Sequence, residues 1–178
     1  MHAWSPDGQP LRLVEQTKSQ EDADPKALAC YGLLVSWMLP GSDTPTEQVW
    51  LRFVDGRPVS SITTQFLAWC CDRLATEGKQ ALLMVWDNAS WHISREVRLW
   101  VREHNRAVKQ TGTGVRIVAC RLPIKSPWLN PIEPLWVHNK RRVVEPNGTL
   151  SAQELADRIC DSCGCDHEAH LTIPDNVP

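Results

Sequence analysis

The sequence lacks the features that would place it in a membrane or on an export route. Its 178 residues contain no run of eighteen or more apolar residues, so no membrane span is predicted. The N-terminus MHAWSPDGQP has no basic stretch followed by an apolar one, which argues against a secretory signal peptide. Internal repeats and long low-complexity tracts are missing too. We therefore expect one medium-sized domain, or a domain with a tail, in the cytoplasm and without a membrane partner.

A large net charge is also lacking, because the formal charge is −2 at pH 7. That value argues against a protein that coats nucleic acid without specificity. The distribution is uneven, however: residues 116–142 contain six basic residues and one acidic residue, whereas 143–178 contain one basic and seven acidic residues. A positive surface in 116–142 can bind phosphates, although a solvated helix face would have the same composition.

Cysteine is present without any sign of export. Seven cysteines in a chain with no signal peptide are expected to be mostly reduced thiols. Four of them lie inside apolar stretches and are predicted to be small buried hydrophobic residues: Cys30, Cys70, Cys71 and Cys120. The nine tryptophans also fall mostly in apolar segments, which favours core packing over base stacking.

Hydrophobic periodicity predicts an α/β domain with a mixed sheet flanked by helices. A turn at Pro6-Asp7-Gly8 indicates an N-terminal hairpin. Strands are predicted at 27–39, 49–56, 81–88 and 115–120, and the run at 81–88 is apolar throughout, as in a strand buried on both faces. Helices are predicted at 60–78 and 93–108, after Pro131, and at 151–163 with Ser151 and Glu154 as a capping box.

Two carboxylates stand where a strand ends and where a helix starts. Asp87 ends the third strand and Glu133 lies in NPIEPLW, so both could converge at the edge where α/β sheets bind ligands. Together they could hold Mg²⁺ or Mn²⁺. Purely structural roles for these two residues remain open as alternatives to metal binding. Asp87 can end a strand with Asx hydrogen bonds, and Glu133 can be the third residue of a helix capped by Asn130, with Pro131 at the first position.

Two longer motifs are more specific. VWDNASWH (85–92) and LPIKSPWLNPIEPLWVHNKR (122–141) occur in this order and resemble the second and third catalytic blocks of DDE transposases. The resemblance is greatest to bacterial insertion-sequence transposases related to mariner elements. It covers most of residues 1–145 and implies a ribonuclease-H-like fold there, with 146–178 as a C-terminal helix and tail.

The resemblance also implies roles for particular residues. Asp87 and Glu133 would be catalytic metal ligands for Mg²⁺ or Mn²⁺ in DNA strand cleavage and transfer. Supporting residues would be Asn88, His92 and Asn130. Contacts to the phosphates of transposon ends and target DNA would come from Lys125, Lys140, Arg141 and Arg142. A plain helix-cap role for His92, and a solvated helix face for the cations, remain alternatives.

One part of the family pattern is missing. The family's first aspartate lies on a first strand upstream of a stretch resembling AWSPDGQP, and this chain begins at that stretch. The remaining N-terminal acids fall in a turn or polar loop and are not convincing replacements: Asp7, Glu15, Glu21, Asp22 and Asp24. We expect a sheet without its first strand, and a chain inactive alone. A partner chain or upstream frame would supply the strand and a DNA-reading domain. The alternative is a non-catalytic DNA- or protein-binding remnant.

A cysteine- and histidine-rich segment, CDSCGCDHEAH (160–170), raises a different possibility. Its sulfur and nitrogen ligands suit tetrahedral Zn²⁺ and would be Cys160, Cys163, Cys165, His167 and His170. Structural zinc sites usually draw ligand pairs from two separated segments, and no second pair lies nearby. A small zinc-binding module therefore competes with a helix end whose cysteines pack and whose histidines are solvated.

Overall fold

The computed structural model describes residues 3–4, 10–11, 23–25, 27–39, 41–143 and 150–174. Six strands and five α-helices occur in these ranges, in the order β1 (Ala3–Trp4), β2 (Pro10–Leu11), β3 (Leu28–Met38), β4 (Pro45–Asp55), α1 (Ser60–Thr76), β5 (Ala81–Trp86), α2 (Ser90–Ile93), α3 (Arg95–Thr111), β6 (Arg116–Arg121), α4 (Glu133–Arg142) and α5 (Ala152–Cys163). The predicted mixed α/β class is confirmed. The predicted N-terminal hairpin is represented by the antiparallel pair β1–β2, while its turn at Pro6-Asp7-Gly8 lies outside the described residues.

The long strands β3 and β4 form an antiparallel ladder that runs from Leu28 opposite Asp55 to Met38 opposite Pro45. Their side chains alternate between two faces, and each face has its own core. Phe53 and its neighbours pack against Ala156 and Cys160 of α5. On the other face, the core contains Val54 together with residues of α1 and α3. Helices therefore cover this pair of strands on both sides.

The short strands β5 and β6 are parallel, with Ala81 opposite Arg116 and Trp86 opposite Arg121. Parallel strands need a crossover, which α2 and α3 provide. Ser94 separates these helices, and its hydroxyl accepts a hydrogen bond from Val97 N at the start of α3. The Asn105 side chain of α3 then donates to Ile117 O and accepts from Ile117 N, both at 2.8 Å. It thereby satisfies backbone groups of β6 that no described strand pairs.

The prediction that the strand at 81–88, which is β5 of the structure, is buried on both faces was wrong. Leu82, Met84 and Trp86 are buried, but Leu83 is 66% exposed and Val118 beside it on β6 is 47% exposed. The reason is that α5 packs on β4, while α4 packs on α5 and over Gly32 of β3, which leaves this face of β5–β6 largely open. Cys120 lies on the same face and is exposed, so its predicted burial was wrong as well. Burial of Cys70 and Cys71 is confirmed.

A groove lies between the β3–β4 pair and the β5–β6 pair. Among the described residues, β3 pairs only with β4, and β5 pairs only with β6. Residues 28–33 of β3 and 84–86 of β5 line one end of the groove, whereas 33–37 and 81–83 line the other. The two strands therefore run in opposite directions along it. None of the helices in the described ranges is long and apolar enough to cross a membrane.

Candidate active site

Asp87 immediately follows β5, and its carboxylate is fixed by two hydrogen bonds. Its Oδ1 accepts from the backbone N–H of Ala89 at 3.0 Å and lies 2.8 Å from Nδ1 of His92. Because a carboxylate only accepts, Nδ1 of His92 is the donor. The bond from Ala89 forms an Asx turn, which the sequence analysis had left open as a structural interpretation of Asp87. Both bonds use Oδ1, so Oδ2 has no protein partner within the described residues.

Two other residues of the motif, His92 and Asn88, are each held by a specific contact. The His92 ring stacks on Trp86, with ring centroids 5.4 Å apart and planes 12° from parallel. Its orientation is therefore fixed by a ring on one side and a carboxylate on the other. Asn88 donates from Nδ2 to the carbonyl oxygen of Leu122 at 2.7 Å, which ties the end of β5 to the end of β6. Both side chains hold the loop that carries Asp87.

Glu133 is the first residue of α4, and the capping interpretation proposed for it was wrong. The helix N-cap is Ile132, and no side chain caps it. Asn130 contributes only its carbonyl oxygen, which accepts from Glu133 N at 3.0 Å. A 3-10 turn over Pro127–Leu129 and a further turn precede the helix, so it begins two residues later than Asn130 capping would require. The Glu133 carboxylate consequently has no capping bond.

A close contact sets the position of α4 against the sheet. Trp136 lies one turn after Glu133 and packs directly over Gly32 of β3. A Cβ placed on Gly32 would lie 2.6 Å from both Cζ2 and Cη2 of Trp136, well inside normal contact distance. Glycine is therefore required for α4 to approach the strand this closely.

Asp87 and Glu133 line one cavity of about 460 Å³, together with His92 and Asn130. They are the only acidic residues among its described lining residues. The structure thus brings together the two carboxylates and two of the three supporting residues that the sequence indicated, whereas Asn88 does not line the cavity. Oxygen ligands of this kind are those that Mg²⁺ and Mn²⁺ prefer, so Asp87 and Glu133 could hold such an ion.

Sequence reasoning missed one charged residue of this cavity. Arg57 follows Gly56, whose φ of 134° and bond from its N–H to Ala27 O at 2.8 Å turn the chain back towards β3. The Asp55-Gly56 turn was visible in the sequence, but only the fold shows that it opens beside Asp87. A guanidinium there suits a phosphate group.

The four cations predicted to contact DNA lie outside the cavity lining. Lys125 is exposed, with a φ of 60°, in the loop after β6. The others form the exposed last turn of α4: Lys140, Arg141 and Arg142. Cations at this end also suit the helix dipole, so the solvated-face interpretation remains available for them.

The cysteine- and histidine-rich segment does not assemble into the predicted ligand set. Cys160, Cys163 and Cys165 pack around the core beneath α5, with Cys30 beside them. Burial raises the pKa of Cys160 to about 12 and also raises that of Cys165. The two histidines interact with aspartates instead. No group of three or more potential metal ligands occurs within the described ranges.

Comparison with known proteins identifies one family. A family model described as DDE superfamily endonuclease matches residues 1–155, a range that contains Asp87 and Glu133. No curated protein and no solved structure matches the chain significantly.

Proposed function

The chain belongs to the DDE superfamily of endonucleases, and from this we propose that it is a transposase catalytic domain of the insertion-sequence branch related to mariner elements. It cleaves and joins DNA strands at transposon ends once its site is complete. The observation that carries the proposal is the shared cavity of Asp87 and Glu133. Neither Oδ2 of Asp87 nor the Glu133 carboxylate has a protein hydrogen bond within the described residues, which leaves both available to a ligand.

Asp87 and Glu133 would hold Mg²⁺ or Mn²⁺, since endonucleases of this superfamily use divalent metals. The donor set fits such an ion, because both groups are hard oxygen ligands and water can complete the shell. When bound, the metal would activate a nucleophile and stabilise charge on the phosphoryl oxygens. His92 keeps Oδ2 of Asp87 directed away from the Ala89 turn, and Arg57 is positioned to bind a DNA phosphate.

Two acids are fewer than this chemistry needs, and the groove between β3 and β5 suggests what completes the set. The groove borders the edges of two strands that run in opposite directions and that no described strand pairs on this side. One added strand can pair with both, antiparallel to β3 and parallel to β5. It would hold the two strands about 10 Å apart, which is two strand spacings.

The direction of that added strand fixes where its end would lie. A strand parallel to β5 ends beside Asp87, so an acid at its last position would join the carboxylates of the cavity. The described part of the N-terminal segment pairs with itself, Ala3 opposite Leu11, and forms no ladder with β3 or β5. We propose that a polypeptide upstream of the chain, or a partner chain, supplies this strand.

DNA binding would come from the exposed cations near the site. Lys125 lies in the loop after β6, and Lys140 lies in the last turn of α4. Phosphate contacts of this kind are independent of sequence and weaken as salt rises. Replacing Lys140 with alanine should weaken binding to unrelated DNA sequences equally and lower the slope of log K against log salt by about 1.

The decisive experiment compares the chain alone with the chain co-expressed with the polypeptide encoded directly upstream of Met1. Each preparation is incubated with Mg²⁺ or Mn²⁺ and DNA carrying the element's ends. We expect cleavage only from the complemented chain, and loss of cleavage in Glu133→Gln and Asp87→Asn. The control Glu77→Gln changes an exposed acid at the end of α1 and should leave cleavage intact.

The possible failures are distinguishable. Cleavage by the chain alone that requires Glu133 would mean that the site is complete and that the added strand is unnecessary. Cleavage that survives Glu133→Gln would remove Glu133 from the site. A complemented chain that binds DNA but never cuts it would favour the non-catalytic remnant.

A further inference from the structure

Two histidines after α5 face each other through their Nε2 atoms, which are 3.2 Å apart. On the other side of each ring, Nδ1 contacts an aspartate carboxylate. Nδ1 of His167 lies 2.5 Å from Oδ1 of Asp157, and Nδ1 of His170 lies 2.8 Å from Oδ1 of Asp55. The pair is remote in sequence from the cavity motifs and plays no part in the function proposed above.

The hydrogen bonds determine which ring nitrogens carry protons. Aspartate carboxylates only accept, so both Nδ1 atoms are donors. In neutral rings with protonated Nδ1, both Nε2 atoms carry lone pairs. Two lone pairs directed at each other at 3.2 Å repel unless a cation lies between or beside them.

A tetrahedral metal ion fits this spacing. Zn–N bonds of 2.0–2.1 Å at the tetrahedral angle separate two ligand nitrogens by about 3.3–3.4 Å. The observed 3.2 Å needs almost no adjustment. A carboxylate behind each imidazole is also the usual arrangement around metal-binding histidines, because it fixes the tautomer and increases ligand basicity.

We propose that His167 and His170 bind a divalent transition-metal ion of the zinc type, with Asp157 and Asp55 orienting the rings. Imidazole nitrogen suits such ions, and their preference differs from that of the carboxylates in the cavity. Water supplies the remaining ligands, since the histidine side chains keep 15% and 21% of their surface exposed and no third protein ligand lies within the described residues.

The site would fasten the segment after α5 onto the edge of β4 that faces away from β3. His167 is tied to Asp157 of α5, whereas His170 is tied to Asp55 at the end of β4. Next to them, Leu171 N donates to Phe53 O at 2.7 Å, in an isolated parallel bridge. A metal that joins the two rings therefore joins α5 to β4, and its removal should loosen this segment first.

The test is a titration of the full chain with Zn²⁺ by calorimetry, in the Glu133→Ala background so that the cavity carboxylates do not contribute. We expect one ion bound per chain and a melting temperature that rises with Zn²⁺ and falls again on addition of a chelator. His167→Ala and His170→Ala should abolish this binding. Asp55→Asn, which removes only an orienting charge, should weaken it about 10–100-fold.

Two control variants keep the result interpretable. His138→Ala changes an exposed histidine on α4 and should bind Zn²⁺ as strongly as the parent. Cys163→Ser should also retain the affinity, because the thiols take no part. Binding lost in Cys163→Ser but retained in His170→Ala would assign the metal to the thiols. If no variant of the pair changes Zn²⁺ binding while both change the pH dependence of stability, the rings share a proton and the proposal is wrong.

Discussion

Replacing Gly32 with alanine should destabilise the protein by forcing α4 away from the sheet. The new methyl carbon would lie 2.6 Å from two ring carbons of Trp136 and 3.0 Å from Cδ2 of Leu51. Because carbon atoms in contact prefer about 3.5–4.0 Å, relief requires a movement of about 1 Å. The indole ring is rigid and cannot bend aside, so α4 itself must move.

The size of the effect follows from two opposing terms. Overpacking in a core costs about 1–3 kcal/mol. Alanine also restricts the unfolded chain relative to glycine, which offsets about 0.4–1 kcal/mol. We therefore expect a net loss of about 1–2 kcal/mol in the free energy of unfolding, measured by equilibrium denaturation in urea. Glu133 moves with α4, so activity of the complemented enzyme should fall as well.

A double-mutant cycle tests the cause. Trp136→Phe removes the ring atoms that meet the new methyl group, so Gly32→Ala should be much less harmful in that background. We expect a coupling energy of about 1 kcal/mol or more between the two substitutions. Additive effects, or a Gly32→Ala variant as stable as the parent, would show that the approach of Trp136 to Gly32 does not determine the position of α4.

Three further changes have definite expected outcomes. Tyr31→Phe should cost about 1–2 kcal/mol in urea denaturation, because the hydroxyl both donates to Val59 O and accepts from Val59 N, each at 3.1 Å. Glu154 has a pKa below its ordinary value of 4.5, first because of its bond from the Ser151 backbone N–H. Its contribution to stability is therefore complete above pH 4.5 and is lost as the pH falls through the lower folded pKa. Glu154→Gln should remove that part of the acid dependence in a pH series of thermal melts. Leu83→Thr should change stability by less than about 0.5 kcal/mol but reduce self-association in light scattering, since the side chain is 66% exposed.

The elements that the sequence predicted well are those defined by local signals. The run ending at Leu39 formed β3, and the capping box of Ser151 with Glu154 begins α5 as expected. The family was predicted from the motifs and the mixed α/β class from hydrophobic periodicity, and both are confirmed. In each case a few neighbouring residues carry enough information, because turn, cap and strand preferences act over short distances.

The features that the sequence could not reveal depend on contacts between distant segments. Leu83 was expected to be buried because its strand is apolar throughout, but burial depends on which helix covers that face. The segment 160–170 drew attention to His167 and His170, but His170 meets Asp55 across 115 positions of sequence, so no local pattern could indicate that carboxylate. The start of α4 was misplaced for a local reason, since a 3-10 turn before Glu133 competed with capping by Asn130.

The exposed thiol of Cys120 makes the natural chain suitable for selective labelling. It is the only one of the seven cysteines that is exposed, and burial raises the pKa of Cys71 to about 11 and that of Cys160 to about 12. Since the thiolate is the reactive form, those buried thiols react slowly near neutral pH. A maleimide spin label would attach first at Cys120 of β6, which lies opposite Val85 of β5. Its signal would report on the strand that leads to Asp87, so the arrival of an added strand could be followed without engineering a cysteine.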